Sequence, residues 1–205
     1  MGLLRIQDSL KWYIDQQAIR YGKGIHPKHR LMDYHRFFVE RLEKGEHVLD
    51  VGCGYGAVSY SLAEAGAHVT GVDFNAENIA RAKEKYCHTG IRFIVADILA
   101  DRPPGPFSTI VMSNVLEHIE DRVGILKGLV KLYAPKRILV RVPMFNRHWE
   151  VPLKQELGLP YYSDPTHCTE YTLKSFAEEM ASAGLGIRST QVIWGEIWSE
   201  VVPGA

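Results

Sequence analysis

The chain has 205 residues, 46% hydrophobic and 23% charged, a profile that suits one globular domain with a sizeable core. Its 24 Lys and Arg balance its 24 Asp and Glu, which argues against duplex nucleic acid as a mainly electrostatic partner. Three separated cysteines, Cys53, Cys87 and Cys168, argue against a disulfide framework or a structural zinc; with no apolar leader and no membrane-length run, a cytoplasmic chain is expected.

In chain order, residues 3–21 carry a helical pattern with Leu10, Ile14, Ala18 and Tyr21 on one face. A basic segment from Ile25 to Arg30 follows, and the spacing of Leu31, Tyr34, Phe38 and Leu42 predicts a second helix over 31–42. Residues 1–44 are expected to form a helical cap on one edge of a cleft, and residues 45–205 the core of a single domain.

From His47 onward strands and helices alternate. Strands are predicted at 47–51, 68–73, 92–95, 108–112 and 137–142. Helices are predicted after Gly56 (Val58, Leu62 and Ala65 on one face), from the N-cap Asn75 to about Tyr86, and over 121–133. This rhythm predicts an α/β fold whose mostly parallel sheet has helices on both faces. Residues 145–171 break it with a long connection carrying Pro152, Pro160, Pro165, Trp149, Tyr161 and Tyr162, the composition of a lid or binding loop. Thr172 is expected to cap a last helix with Leu173, Phe176, Ala177 and Met180 inward. The tail, 187–202, reads as a hairpin turning near Trp194-Gly195, which adds an antiparallel strand.

Ligands of open α/β sheets gather at the carboxyl ends of the strands. Here those ends carry, in turn, Gly52, Gly54 and Gly56; Asp73; Asp97; and Ser113-Asn114-Val115-Leu116-Glu117-His118. The glycine spacing with Ala57 also fits a dinucleotide fingerprint. Asp50, inside the strand ahead of the glycines, speaks against that fit, because an amino group on the ligand would explain an acid there.

The run Val48-Leu49-Asp50-Val51-Gly52-Cys53-Gly54-Tyr55-Gly56, followed by Val72-Asp73, Ala96-Asp97 and Asn114-Val115-Leu116-Glu117-His118, resembles the successive motifs of class I S-adenosylmethionine-dependent methyltransferases. It is most similar to the small-molecule branch that includes ubiquinone-biosynthesis-type enzymes. The resemblance implies a Rossmann-like seven-stranded sheet with an antiparallel seventh strand and S-adenosylmethionine as cofactor. It places Asp50, Gly52, Cys53 and Gly54 at the methionine part, Asp73 at the ribose with Phe74 against the adenine, Asp97 and Ile98 at the adenine edge, and Asn114 near the sulfonium. The stretch from Asp164 to Thr172 also resembles a segment of this branch.

Methyl transfer to a hydroxyl benefits from alignment and from a base near neutral pKa. His167 is the first candidate base and His118 the second, with Glu117 or Glu170 as orienting acids. His29, Tyr161 and Tyr162 are expected to contact the acceptor. The cluster His26, His29 and His35 has no carboxylate at ligand spacing, so no metal is expected there. The expected function is methyl transfer to a small molecule, on oxygen in preference to nitrogen or carbon. The alternatives are a macromolecular acceptor, a nucleotide-cofactor oxidoreductase and a non-catalytic cofactor-binding domain.

Overall fold

A computed structural model describes residues 2–22 and 27–204, with residues 2–9, 11 and 12 given by backbone alone. The chain forms two compact units, Met1–Phe37 and Phe38–Ala205. In the first, α1 (Gly2–Tyr21) is a single helix whose predicted inner face is not buried: Leu10, Ile14 and Tyr21 are exposed. The helix predicted over 31–42 is replaced by two short ones, α2 (Lys28–Met32) and α3 (Tyr34–Val39). Asp33 separates them in the left-handed region at φ 49°, a conformation Asp tolerates better than most residues and no α-helix contains.

The second unit holds a seven-stranded sheet: β1 (His47–Val51), β2 (His68–Asp73), β3 (Ile91–Val95), β4 (Thr109–Ser113), β5 (Arg137–Pro143), β6 (Leu185–Ile193) and β7 (Glu196–Pro203). Their order is β3-β2-β1-β4-β5-β7-β6, with β7 antiparallel to both of its neighbours. The expected architecture is therefore present. β1 is central and buried from Val48 to Val51, Asp50 included, as its mostly apolar sequence predicts for a strand covered on both faces. The chain steps one way from β1 to β3 and the other way from β4 to β5. Right-handed crossovers then put α4 (Ala57–Glu64) and α5 (Ala76–Lys85) on one face and α6 (Arg122–Tyr133) on the other. The reversal falls between β1 and β4, which makes their carboxyl ends the natural crevice.

The largest core cluster joins Leu49, Ile110, Met112, Leu126, Ile138 and Val140 to Phe176 and Met180 of α8 (Leu173–Ser182). Thr172 caps α8 in a reciprocal box with Ser175, as its position predicts. The inward face of α8 is Phe176 and Met180, continued by its C-cap Ala183; Leu173 and Ala177 are exposed. Likewise Ala65 ends α4 in the open while Ser59 lies buried on it. The connection 145–171 is not structureless, since α7 (Glu150–Glu156) lies within it. Pro152 does not prevent this helix, because it falls in the first turn where no N–H is required. Trp194 and Gly195 both have positive φ, the two-residue hairpin turn whose twist matches its strands.

At the amino end of the sheet, Glu46 accepts from Arg137 through both oxygens (3.0 and 2.9 Å), from Thr109 (2.7 Å), from Ser108 (2.9 Å) and from the Glu43 N–H (3.0 Å). Burial alone raises its carboxyl, but these bonds outweigh that and hold it below the usual range. Glu46→Ala strands a largely buried guanidinium, and the expected loss is about 3–5 kcal/mol in urea denaturation at neutral pH. A carboxyl lowered by folding stabilises above its unfolded pKa and ceases to as pH falls. The variant's deficit is therefore expected to shrink as the pH is taken below about 4.5.

No helix among the described residues is long and apolar enough to cross a membrane.

Candidate active site

The glycine loop leaves β1 beside the turn that leaves β4, because the two strands are paired. Gly52 has φ 64°, and a Cβ there would stand 2.7 Å from Val115 Cγ2, so the loop and the 113–118 turn pack directly on each other. Gly54, at φ 53°, has nothing within 4 Å of where its Cβ would be, so no side chain blocks approach from that side.

Asp50 is buried and accepts from the Ser59 hydroxyl at 2.6 Å and from the Ser59 N–H. It thus ties the first turn of α4 to the strand, a role in the protein itself beside any role toward a ligand. Burial, opposed by the Ser59 bonds and reinforced by Asp73, lifts its carboxyl to about 7. A carboxyl raised by folding holds its proton where the unfolded chain has lost it, so stability falls as pH rises from about 4 to about 7. Asp50→Asn is expected to remove that slope, worth on the order of 2–4 kcal/mol, in chemical denaturation at pH 5 and pH 8.

Asp73 accepts from the Gly54 N–H (2.9 Å), the Asn75 N–H (2.8 Å) and the Asn78 amide (3.2 Å), so it pins the glycine loop to the start of α5. Phe74, next to it, is 79% exposed. Asp97 is exposed and turns the backbone by accepting from the Leu99 N–H (3.0 Å). Ile98 buries its side chain in the main core, which leaves only its backbone to face a ligand. Burial, then the Asp50 and Asp73 carboxylates, push the Cys53 thiol up, so it remains a neutral thiol packed on the Ile79–Phe93 cluster. Asn114 sits at φ 57°, and its side-chain Oδ1 is buried with no partner among the described residues.

The loop after β5 folds back onto the turn after β4: the Cys168 N–H donates to the Glu117 carbonyl at 2.7 Å. This brings the two candidate bases together, their ring centroids 4.7 Å apart and edge to face. His167 is buried and its Nδ1–H donates to Glu170 Oε1 at 3.0 Å. Glu170 also accepts from the Ser163 N–H and hydroxyl; these bonds overcome the burial that would raise its carboxyl, and hold it below the usual range. On His118, Nδ1 lies 2.9 Å from Thr166 Oγ1, whose own proton goes to Asp164 at 2.6 Å, so Nδ1 carries the hydrogen. Each ring is left with a basic Nε2. Partial burial and nearby His167 push the His118 pKa down, which favours the neutral ring.

Glu117 orients neither imidazole by a hydrogen bond. It is fully buried, both oxygens lack a partner among the described residues, and burial lifts its carboxyl to about 7. Tyr161 and Tyr162 stack tilted at 4.7 Å, and Phe145 meets Tyr161 edge-on at 6.1 Å, forming an aromatic group at the base of the same loop. His29 belongs to the first unit, where the Tyr34 hydroxyl is 2.6 Å from its Nδ1 and His35 is 3.5 Å away; His26 is outside the described residues. Sequence reading missed Ser59, Ser163, Thr166 and Phe145. Only the Asp164-x-Thr166 spacing, which favours a side-chain-capped turn, carried a local signal.

The residues fit S-adenosylmethionine. A glycine loop free of side chains on one side, an exposed aromatic beside Asp73 and an amide oxygen buried with no partner among the described residues suit in kind its methionine part, adenine and amino group.

A methyltransferase domain model matches residues 24–190. A ubiquinone biosynthesis O-methyltransferase of Pseudomonas aeruginosa is 34% identical over 121 residues, covering 57% of this chain and 52% of that protein. One from Psychrobacter cryohalolentis is 36% identical over 123 residues, covering 57% and 48%. The chain thus spans about half the length of the curated relatives it matches. Among solved structures, magnesium protoporphyrin IX methyltransferase from Synechocystis PCC 6803 with bound S-adenosylhomocysteine superposes with TM-score 0.69 at 20% identity, covering 92% of this chain and 87% of that one. The Haloferax volcanii putative methyltransferase, solved in complex with the Trm112 activator, gives 0.72 at 16% identity, with 93% and 96% covered. These likenesses show the fold, and the family model spans most of the chain: the chain belongs to the methyltransferase domain family.

Proposed function

We propose that the chain methylates a hydroxyl oxygen on a small, planar acceptor. The observation that carries this reading is the pair of imidazoles, each with Nδ1 engaged and Nε2 basic: His118 on the turn that packs against the glycine loop, and His167 on the loop folded back onto that turn. The relatives named ubiquinone biosynthesis O-methyltransferase support an oxygen acceptor. The Phe145, Tyr161 and Tyr162 rings support a flat one, since aromatic faces stack on planar ligands.

The cofactor supplies a methyl group already activated on a sulfonium, so the protein's task is alignment and removal of the acceptor's proton. In this reading Gly52, Cys53 and Gly54 offer backbone to the methionine part, and Asp50 and Asn114 Oδ1 accept from its amino group. Asp73 retains a lone pair for the ribose diol, since it accepts three bonds and an ionised carboxylate has about four sites. Phe74 stacks on the adenine, with Asp97 and the Ile98 backbone at its edge. The His118–His167 pair draws the acceptor's proton away as the oxygen attacks, and Glu170 stabilises the charge that reaches His167.

The test is calorimetry followed by a screen of phenols and catechols with S-adenosylmethionine, products identified by mass spectrometry and NMR. S-adenosylhomocysteine is expected to bind, NAD is not, and the product should be an aryl methyl ether. Methylation found on nitrogen or carbon alone would sink the oxygen assignment.

A further inference from the structure

Glu117 poses a problem that acid–base catalysis alone does not solve. It is 0% exposed, and neither oxygen has a partner among the described residues. The nearby guanidinium of Arg141 gives its fork to Glu196 through Nε and Nη2. A buried carboxylate of this kind is costly unless something positive meets it. One ligand atom each from Glu117, His118 and His167 lie within 4.8 Å of one another. The two imidazoles also show the outer arrangement that metal-bound histidines need. Nδ1–H of His167 is held by the Glu170 carboxylate, and that of His118 by Thr166, itself fixed by Asp164.

We propose that Glu117, His118 and His167 bind one divalent first-row transition cation, of which Zn2+ and Mn2+ are the type, and that its open position receives the acceptor hydroxyl. Two imidazoles and one carboxylate suit these ions better than Mg2+ or Ca2+, which favour all-oxygen shells. Three protein ligands with a position to spare is the arrangement of catalytic sites, not structural ones. Ligand bonds of about 2.0–2.2 Å place tetrahedral ligand atoms about 3.3–3.6 Å apart, so the set must draw in on binding. His118, exposed at its rim and joined to its loop partner by one hydroxyl, is the member able to move. With the ion bound, both Nε2 lone pairs are taken up as ligands, so the ion acidifies the acceptor hydroxyl in place of imidazole base catalysis: the O–H bond breaks and its proton passes to solvent. The oxygen forms a bond to the methyl carbon as the carbon–sulfur bond breaks, and S-adenosylhomocysteine leaves as a neutral thioether. The acceptor role rests on the hydroxyl reading above; binding of the ion does not.

The full chain, stripped with a chelator, is titrated with ZnCl2 or MnCl2 alone, and S-adenosylhomocysteine is titrated in parallel as a report on the donor site. One ion per chain is expected, with affinity falling at least about 10-fold in Glu117→Gln, His118→Gln and His167→Ala while S-adenosylhomocysteine still binds. Glu170→Gln leaves every proposed ligand in place and is expected to weaken the ion about 10–100-fold, a change that mere structural support would not produce. Chelator is expected to abolish turnover, and the ion to restore it. Absence of stoichiometric binding, or binding that all four variants leave unchanged, overturns the metal site. Turnover indifferent to chelator overturns its role and leaves imidazole base catalysis. Loss of S-adenosylhomocysteine binding in the wild type would instead count against the donor site of the proposed function.

Discussion

His167→Ala is expected to lower kcat/KM for a hydroxyl acceptor by about 10²–10⁴-fold, the range for loss of a positioned proton-transfer group. S-adenosylhomocysteine affinity should be unchanged, because His167 lies on the loop after β5 and the proposed donor residues are set by the ends of β1, β2, β3 and β4. The size of the effect follows from the number of constraints on this one ring. Glu170 fixes its tautomer, Ser163 fixes Glu170 with two bonds, and His118 packs edge-on against it. Glu170→Gln is the informative partner variant: it keeps size and removes charge, so its loss reports how far the carboxylate matters electrostatically. Steady-state kinetics with calorimetry for S-adenosylhomocysteine check both, and equal losses in kcat and in S-adenosylhomocysteine affinity would refute the assignment.

Gly52→Val is expected to remove both cofactor binding and turnover. Its φ of 64° is a region a β-branched residue adopts only at a cost of about 1–3 kcal/mol, and its Cβ would stand 2.7 Å from Val115. Relief of that clash moves the turn bearing Asn114, Glu117 and His118. A cost of about 3 kcal/mol directed at the bound state weakens S-adenosylhomocysteine about 100-fold. Gly54→Ala provides the contrast. The space before Gly54 is open, so the methyl group meets no protein atom, and stability should fall only by the backbone cost of a left-handed alanine, about 1–2 kcal/mol, less than in Gly52→Val. The same methyl stands where a ligand would approach, so affinity should still drop. Differential scanning fluorimetry with and without S-adenosylhomocysteine separates the two variants, and a Gly54→Ala protein of unaltered affinity would mean that the loop does not carry the cofactor.

Much of the sheet was legible because burial on both faces forces a simple pattern. The runs at His47–Val51 and His68–Asp73 are short, mostly apolar inside apart from Asp50 and Thr70, and bounded by turn residues, and their limits coincide with the strands. The hairpin at Trp194-Gly195 was legible from its glycine. Helix faces were harder. Leu173 and Ala177 obey helical spacing with Phe176 and Met180, yet the sheet reaches only one side of α8 and leaves them exposed. Asp33 interrupts a periodic stretch through a single backbone conformation that hydrophobic spacing does not register. In the site, residue types at strand ends pointed to the cofactor. The convergence of His118 with His167 depends on a backbone bond between distant segments, which no periodicity encodes. Asp50 had a visible oddity, an acid inside a buried strand, but its partner Ser59 emerges only once α4 is laid over β1.

The bond from the Cys168 N–H to the Glu117 carbonyl joins main chain to main chain. It is therefore blind to the side chains on either segment. A foreign loop that keeps the backbone register from Asp164 to Cys168 can be grafted between β5 and α8 and still deliver its histidine to His118. On the proposed function, donor and acceptor specificities are in this sense separate modules, and exchange of the loop is expected to change acceptor range without altering the glycine loop.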